Sequence, residues 1–127
     1  NARTLEPTFA LSSGARRTFD QLPTQAKHLV AMVALPVRAL WASHPGVDPR
    51  EAEGVVVLDD PEDGLPPRVQ GELRGALRQA LPAVQWLVFT ASQEVAAATE
   101  VGDVYALRRL PGTEMVHVYR DELAVTH

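Results

Sequence analysis

Five central positions, Asp59-Asp60-Pro61-Glu62-Asp63, set four carboxylates directly behind the apolar run Val55-Val56-Val57-Leu58. A buried strand ending there delivers Asp59 and Asp60 to its C-terminal end, where open α/β sheets place their ligands. That position suits a hard cation. Mg²⁺ takes oxygen ligands, and one carboxylate can hold it directly or through water while a neighbour orients an attacking water. A competing reading is a solvated acidic turn, with an aspartate capping the next helix. A third is a Mg²⁺-dependent phosphohydrolase or nuclease, in which at least two of Asp59, Asp60, Glu62 and Asp63 converge on one cation at ~2.0 to 2.1 Å.

A strand, a helix and a second strand must position these residues. Gly54-Val55-Val56-Val57-Leu58 and Val84-Gln85-Trp86-Leu87-Val88-Phe89 are apolar apart from one glutamine, as strands buried on both faces of a parallel sheet are. Between them Val69, Leu73, Leu77 and Leu81 mark one face of a helix that starts after Pro66-Pro67 and stops before Pro82. Strand, helix, strand predicts a right-handed crossover. Upstream, residues 8–11 and 16–19 flank Ser12-Ser13-Gly14-Ala15 and read as a hairpin. Residues 23–42 carry Ala26, Leu29, Val30, Val33, Val37, Leu40 and Trp41 at helical spacing. Pro36 is expected to kink or split that helix, since an interior proline costs roughly 3 kcal/mol. Residues 43–53 form a loop around Pro45, Gly46 and Pro49, and residues 93–99 a short helical or irregular stretch. A closing hairpin is expected from residues 104–110 and 114–119 around Pro111-Gly112-Thr113. The expected fold is a single α/β domain: a mostly parallel sheet with crossover helices, flanked by short antiparallel hairpins.

At 127 residues, 46% hydrophobic and 22% charged, the chain suits one soluble globular core. A net charge of -4 argues against a broad clamp on a phosphate backbone, so nucleic acid is not indicated. The absence of cysteine removes disulfides, thiolate nucleophiles and cysteine-based zinc sites, and suits a cytoplasmic protein. His28, His44, His117 and His127 show no paired metal-ligand spacing. The most apolar run, residues 29–37, is nine residues long and too short to span a bilayer, so no membrane partner is expected. A chain that opens at Asn1 inside patterned sequence reads as the C-terminal part of a longer protein.

In order and spacing, VVVLDDPEDGLPP, a helix and then VQWLVFTAS resemble the C-terminal, Walker B half of ABC-class ATPase domains. Within that class they are similar to the RecF-like and OLD-like ATPases grouped with the bacterial AAA domains. The resemblance runs over residues 19–119 and implies a P-loop NTPase-like C-terminal lobe. By it, Asp59 matches the aspartate that helps hold Mg²⁺, and Asp60 stands where the family has the glutamate that polarises water. Asp60 is one methylene shorter, which matters when a misplacement of 1 Å costs ~100-fold in rate. Pro61, Glu62, Leu65 and Pro67 match the following loop, while Gly64 and Pro66 replace the family's histidines.

Other matched positions have lost their chemistry. Thr90-Ala91-Ser92 keeps the flanks of the switch-histidine motif, but Ala91 cannot donate a hydrogen bond to a γ-phosphate. Leu22-Pro23-Thr24-Gln25 aligns with the signature segment, with Pro23 for its serine and Gln25 for its glycine. The first removes an N–H donor and the second crowds any phosphate brought up by another subunit. There is no P-loop: Lys27 is the only lysine, and Ala26 rather than glycine precedes it.

The expectation is a degenerate ATPase-like lobe, inactive alone and without a cofactor of its own, acting as a non-catalytic interaction or scaffolding module. Its partner would be a missing N-terminal P-loop lobe, another protein or a second copy in a homodimer. The alternative is the Walker B lobe of an active ATPase that uses Mg²⁺ and ATP once a P-loop is supplied upstream or by a partner chain, with Asp60 catalytic and Asp59 on the metal. Elsewhere, His117 is expected to be packed or exposed rather than a ligand, and Trp41 and Trp86 to lie in the core or at a lobe interface. Arg68, Arg74 and Arg78 read as a solvated helix face, and Arg108 and Arg109 point to opposite sides of a strand.

Overall fold

The computed structural model describes residues 7–121 together with Ala124. A hairpin opens it: β1 (Thr8–Ala10) pairs antiparallel with β2 (Arg16–Thr18). Its turn is closed by Leu11 N–H to the Ala15 carbonyl at 2.9 Å, with Gly14 at φ +82°, a backbone region that favours glycine. A 3-10 turn, Phe19–Gln21, leads into α1 (Thr24–Ser43). The backbone runs through Pro36 as one 20-residue helix, so the expected split does not occur. Met32 and Leu40, buried on either side of the proline, hold the two halves in two core clusters that share Trp86. Tertiary packing of this kind outweighs a local penalty.

β3 (Gly54–Asp59) and β4 (Val84–Phe89) run parallel in register from Gly54 beside Val84 to Asp59 beside Phe89. α2 (Pro67–Ala80) links them, with Pro67 in its first turn, where the missing N–H has no helical partner in any case. Leu81, 1% exposed, follows it and joins Leu40, Ala52 and Val84 in one core cluster. Met32, Leu73 and Leu77 form a second. Val56, Leu58 and Trp86 face these clusters from the sheet, and Trp86 touches both. Gly54 lies so close to α1 that a Cβ there would meet Leu40 Cδ2 at 3.0 Å.

Both long helices therefore pack on one face of the β3–β4 pair. The other face carries Val55 (61% exposed), Val57 (59%), Leu87 (44%) and Phe89 (53%), with Asp59 at its end. The sequence expectation of strands buried on both faces is corrected: burial alternates along each strand because the described residues supply a helical layer on one side. The expected mostly parallel sheet is likewise reduced to this pair, since the strands form three separate two-stranded sheets.

α3 (Gln93–Ala97) is a single turn capped by Ser92, whose Oγ accepts the Val95 N–H at 3.1 Å. The closing hairpin pairs β5 (Tyr105–Arg109) with β6 (Val116–Arg120). Trp41, expected in the core or at an interface, is 68% exposed on α1. No helix among the described residues is long and apolar enough to cross a membrane.

Candidate functional site at the carboxyl ends of the parallel strands

β3 ends at Asp59, and the ladder continues one step further: Asp60 N–H donates to the Phe89 carbonyl at 2.9 Å. Asp60 then takes φ +43°, a left-handed conformation that costs a non-glycine residue roughly 1 kcal/mol. The chain turns there into the segment Pro61 to Leu65, with Gly64 at φ +71°. Pro61, Glu62 and Leu65 are buried, whereas Asp59, Asp60, Asp63 and Gly64 are exposed. The acidic segment is thus half anchored and half presented, not a wholly solvated turn.

Glu62 is the anchor. Only 8% exposed, it accepts the Thr90 hydroxyl on Oε1, and Thr90 Oγ1 in turn accepts the Ser92 N–H at 2.9 Å. Ser92 donates its own hydroxyl to Gln70 Oε1 at 2.7 Å, and Gln70 Nε2 donates to the Leu65 carbonyl at 2.7 Å. The circuit ties the loop after β3, the end of β4, the first turn of α2 and the cap of α3 into one unit. Glu62 Oε2 is buried with no hydrogen-bond partner, and so is Trp86 Nε1.

Asp60, Glu62, Asp63, Gly64, Gln70 and Ser92 line a polar cleft of about 460 Å³. Asp59 is not among them; it shares the bare sheet face with Val55 and Val57. The ion pairs of the described residues lie elsewhere: Arg68 with Glu72 at 3.3 Å, and Arg74 with Glu100 at 3.4 Å and Asp103 at 3.0 Å. Arg74 therefore braces α2 against the turn after α3 rather than standing free on a solvated face.

Gln25, on the first turn of α1, donates from Nε2 to the Gly64 carbonyl at 2.6 Å. The segment at Leu22, Pro23 and Gln25 thus reaches the acidic loop of its own chain. Pro23 caps α1 without a side-chain hydrogen bond. Ala91 lies exposed between Thr90 and Ser92. His117 is exposed, its ring 6.3 Å from that of Tyr119.

Among the described residues no group of three or more histidine, aspartate or glutamate side chains gathers as a metal site. Of the four carboxylates considered for a phosphohydrolase, Asp60, Glu62 and Asp63 line the cleft, while β3 presents Asp59 on the bare sheet face. The donor set fits Mg²⁺ only in the manner usual for that ion, with one or two carboxylates sharing it with water and substrate phosphate. Asp59 would be the residue to hold it, with Asp60 next to it in the water-orienting place.

Sequence reasoning singled out Asp59, Asp60, Thr90 and Ser92 but missed two features. Gln70 sits beside the apolar stripe of α2, one residue after Val69, and only the fold aims it at Ser92. The burial of Glu62 has no sequence signal, because its neighbours Asp60 and Asp63 are exposed.

No protein-family model and no curated protein matches the chain. Among solved structures it is similar to a chain from work on the ATP-driven dimerisation and DNA-stimulated activation of SMC ATPases, with a TM-score of 0.56 and 14% sequence identity. The fold is similar to that of an SMC ATPase domain. The match takes in 86% of this chain and 60% of the other, so this chain spans about three-fifths of its neighbour's length. At that identity the likeness is one of fold.

Proposed function

We propose that the chain is a degenerate lobe of the ABC-ATPase kind that acts by assembling with a second body rather than by hydrolysing nucleotide. The observation that carries this reading is the uncovered face of the β3–β4 pair. Parallel strands occur in sheets whose two faces are both covered, and an isolated two-stranded sheet is marginal in water. Val55, Val57, Leu87 and Phe89 leave a contiguous apolar face opposite α1 and α2. Covering it would contribute on the order of 1 kcal/mol per side chain, enough in sum to hold a partner lobe. A P-loop-bearing lobe, another protein or a second copy are the candidate bodies.

The matched nucleotide contacts support the non-catalytic half of the reading. The Ala91 side chain has no donor to offer, Pro23 has no N–H, and the side chain of Gln25 is engaged with Gly64. One feature favours the second reading, a Walker B lobe that works once complemented. Asp59 and Asp60 stand exposed at the carboxyl end of β3 without an ion pair among the described residues, free to meet Mg²⁺ and ATP brought by a P-loop.

Assembly is tested in the intact protein with Val57→Asp, which places a charge at the centre of the bare face. Analytical ultracentrifugation and limited proteolysis are expected to show a lobe released from its partner or made accessible. Unchanged sedimentation and an unchanged cleavage pattern would overturn the reading.

A further inference from the structure

We propose that the cleft at the carboxyl ends of β3 and β4 receives a lysine or arginine side chain from a basic segment of a partner polypeptide, with Glu62 as its principal acceptor. This rests on the reading of the lobe as an interaction module and names the chemistry that its partner brings.

The first observation is a charge imbalance. Asp60, Glu62 and Asp63 line the cleft with Gly64, Gln70 and Ser92, and among the described residues no lysine, arginine or histidine does. The arginines nearest in sequence are engaged elsewhere, Arg68 with Glu72 and Arg74 with Glu100 and Asp103. Carboxylates gathered without a counter-charge favour a cation.

The second observation is the state of Glu62. More than nine-tenths buried, it has one oxygen satisfied by Thr90 and the other, Oε2, without any donor. Protein interiors avoid a buried carboxylate oxygen left this way. The surrounding side-chain donors are largely engaged: the Thr90 hydroxyl with Glu62 itself, the Ser92 hydroxyl with Gln70, and one N–H of Gln70 Nε2 with the Leu65 carbonyl. Among the described residues none donates to Oε2. Glu62 is itself one of the residues that line the cleft.

The geometry selects the donor's class. Among the described residues no three acidic or histidine side chains gather as a metal site, while Gln70 and Ser92 add an amide and a hydroxyl suited to N–H donors. A cleft of about 460 Å³ holds an ammonium or guanidinium group with part of its stem. It opens to solvent, whereas sites for small ligands bury roughly 70–90% of their occupant. A cationic group carried on a docked polypeptide needs no such enclosure. Asp59, adjacent to Asp60, lies on the bare sheet face, so a body covering Val57 and Phe89 reaches the cleft at the end of the same strand.

The test is a titration of the intact protein with a capped pentalysine peptide, followed through the backbone amide resonances of Thr90 and Ser92, with Mg²⁺ titrated in parallel. Glu62→Gln keeps an oxygen for the Thr90 hydroxyl and removes the charge. Glu72→Gln removes a charge from the exposed face of α2. Pentalysine is expected to shift both amides, Glu62→Gln to weaken it by about tenfold and Glu72→Gln by less than about twofold. Asp63→Asn, an exposed change that leaves the Thr90 bond untouched, is expected to weaken it severalfold and guards against misfolding of the first variant. Equal weakening by Glu62→Gln and Glu72→Gln, or shifts produced by Mg²⁺ but not by pentalysine, would overturn the proposal. Assembly that responds to Val57→Asp beside a cleft indifferent to pentalysine overturns this inference alone. Assembly indifferent to Val57→Asp beside a cleft that binds pentalysine overturns the module reading alone.

Discussion

Thr90 donates its hydroxyl to Glu62, a residue 28 positions earlier, and so joins the ends of the two parallel strands by side chains just beyond the point where their backbone ladder stops. The bond fixes the acidic loop to the strand that follows it, and it orients Asp60 and Asp63 by holding the residue between them.

Removing that bond should be costly, because it leaves a buried carboxylate without its donor. Thr90→Val is expected to lower stability by about 1–3 kcal/mol in urea unfolding, with Thr90→Ser recovering most of the loss. Equal stability of the valine variant would mean that the hydroxyl does not hold the loop.

Ser92 caps α3 through the Val95 N–H and links that cap to Gln70. Ser92→Ala is expected to cost about 1 kcal/mol and Ser92→Asn, which restores a capping oxygen, less. Thermal melts of the three proteins give the comparison.

Gln25 reaches Gly64 across 39 positions of sequence. Because the bond is exposed, Gln25→Ala is expected to cost only about 0.5 kcal/mol. The same change should speed proteolysis within residues 60–65, measured by mass spectrometry of the early fragments. A cleavage rate equal to that of the parent chain would contradict a role for Gln25 in holding the loop.

The two faces of the β3–β4 pair should respond in opposite ways. In the chain alone, Val57→Ser on the bare face is expected to change stability by no more than about 0.5 kcal/mol. Leu73→Ala, in the cluster beneath the other face, should cost about 2–5 kcal/mol. Equal losses in urea unfolding would mean that the outer face is already covered.

Much of the element order was legible because it is written in local pattern. The Ser12-Ser13-Gly14-Ala15 turn, the prolines bounding α2 and the apolar runs at 54–58 and 84–89 each specify their element within a few residues. What the sequence could not reveal depends on partners distant in the chain. A run such as Val55-Val56-Val57-Leu58 looks alike whether one or both faces are covered, so the alternation of burial along β3 had to be seen. Pro36 predicted a kink or a split, and the helix is not split: Met32 and Leu40 are buried on either side of the proline. In the site, Asp59 and Asp60 were found by position after a strand. The burial of Glu62 and the reach of Gln70 and Gln25 follow from how α1, α2 and the strand ends meet, which no spacing encodes.

Mg-ATP turnover by the intact protein, compared with its Asp60→Asn variant, tests the central claim of a non-catalytic lobe most directly. A rate at the protein-free background, unchanged by Asp60→Asn, is the predicted result. Turnover above background that Asp60→Asn abolishes would contradict it, and would identify the chain as the Walker B lobe of a working ATPase.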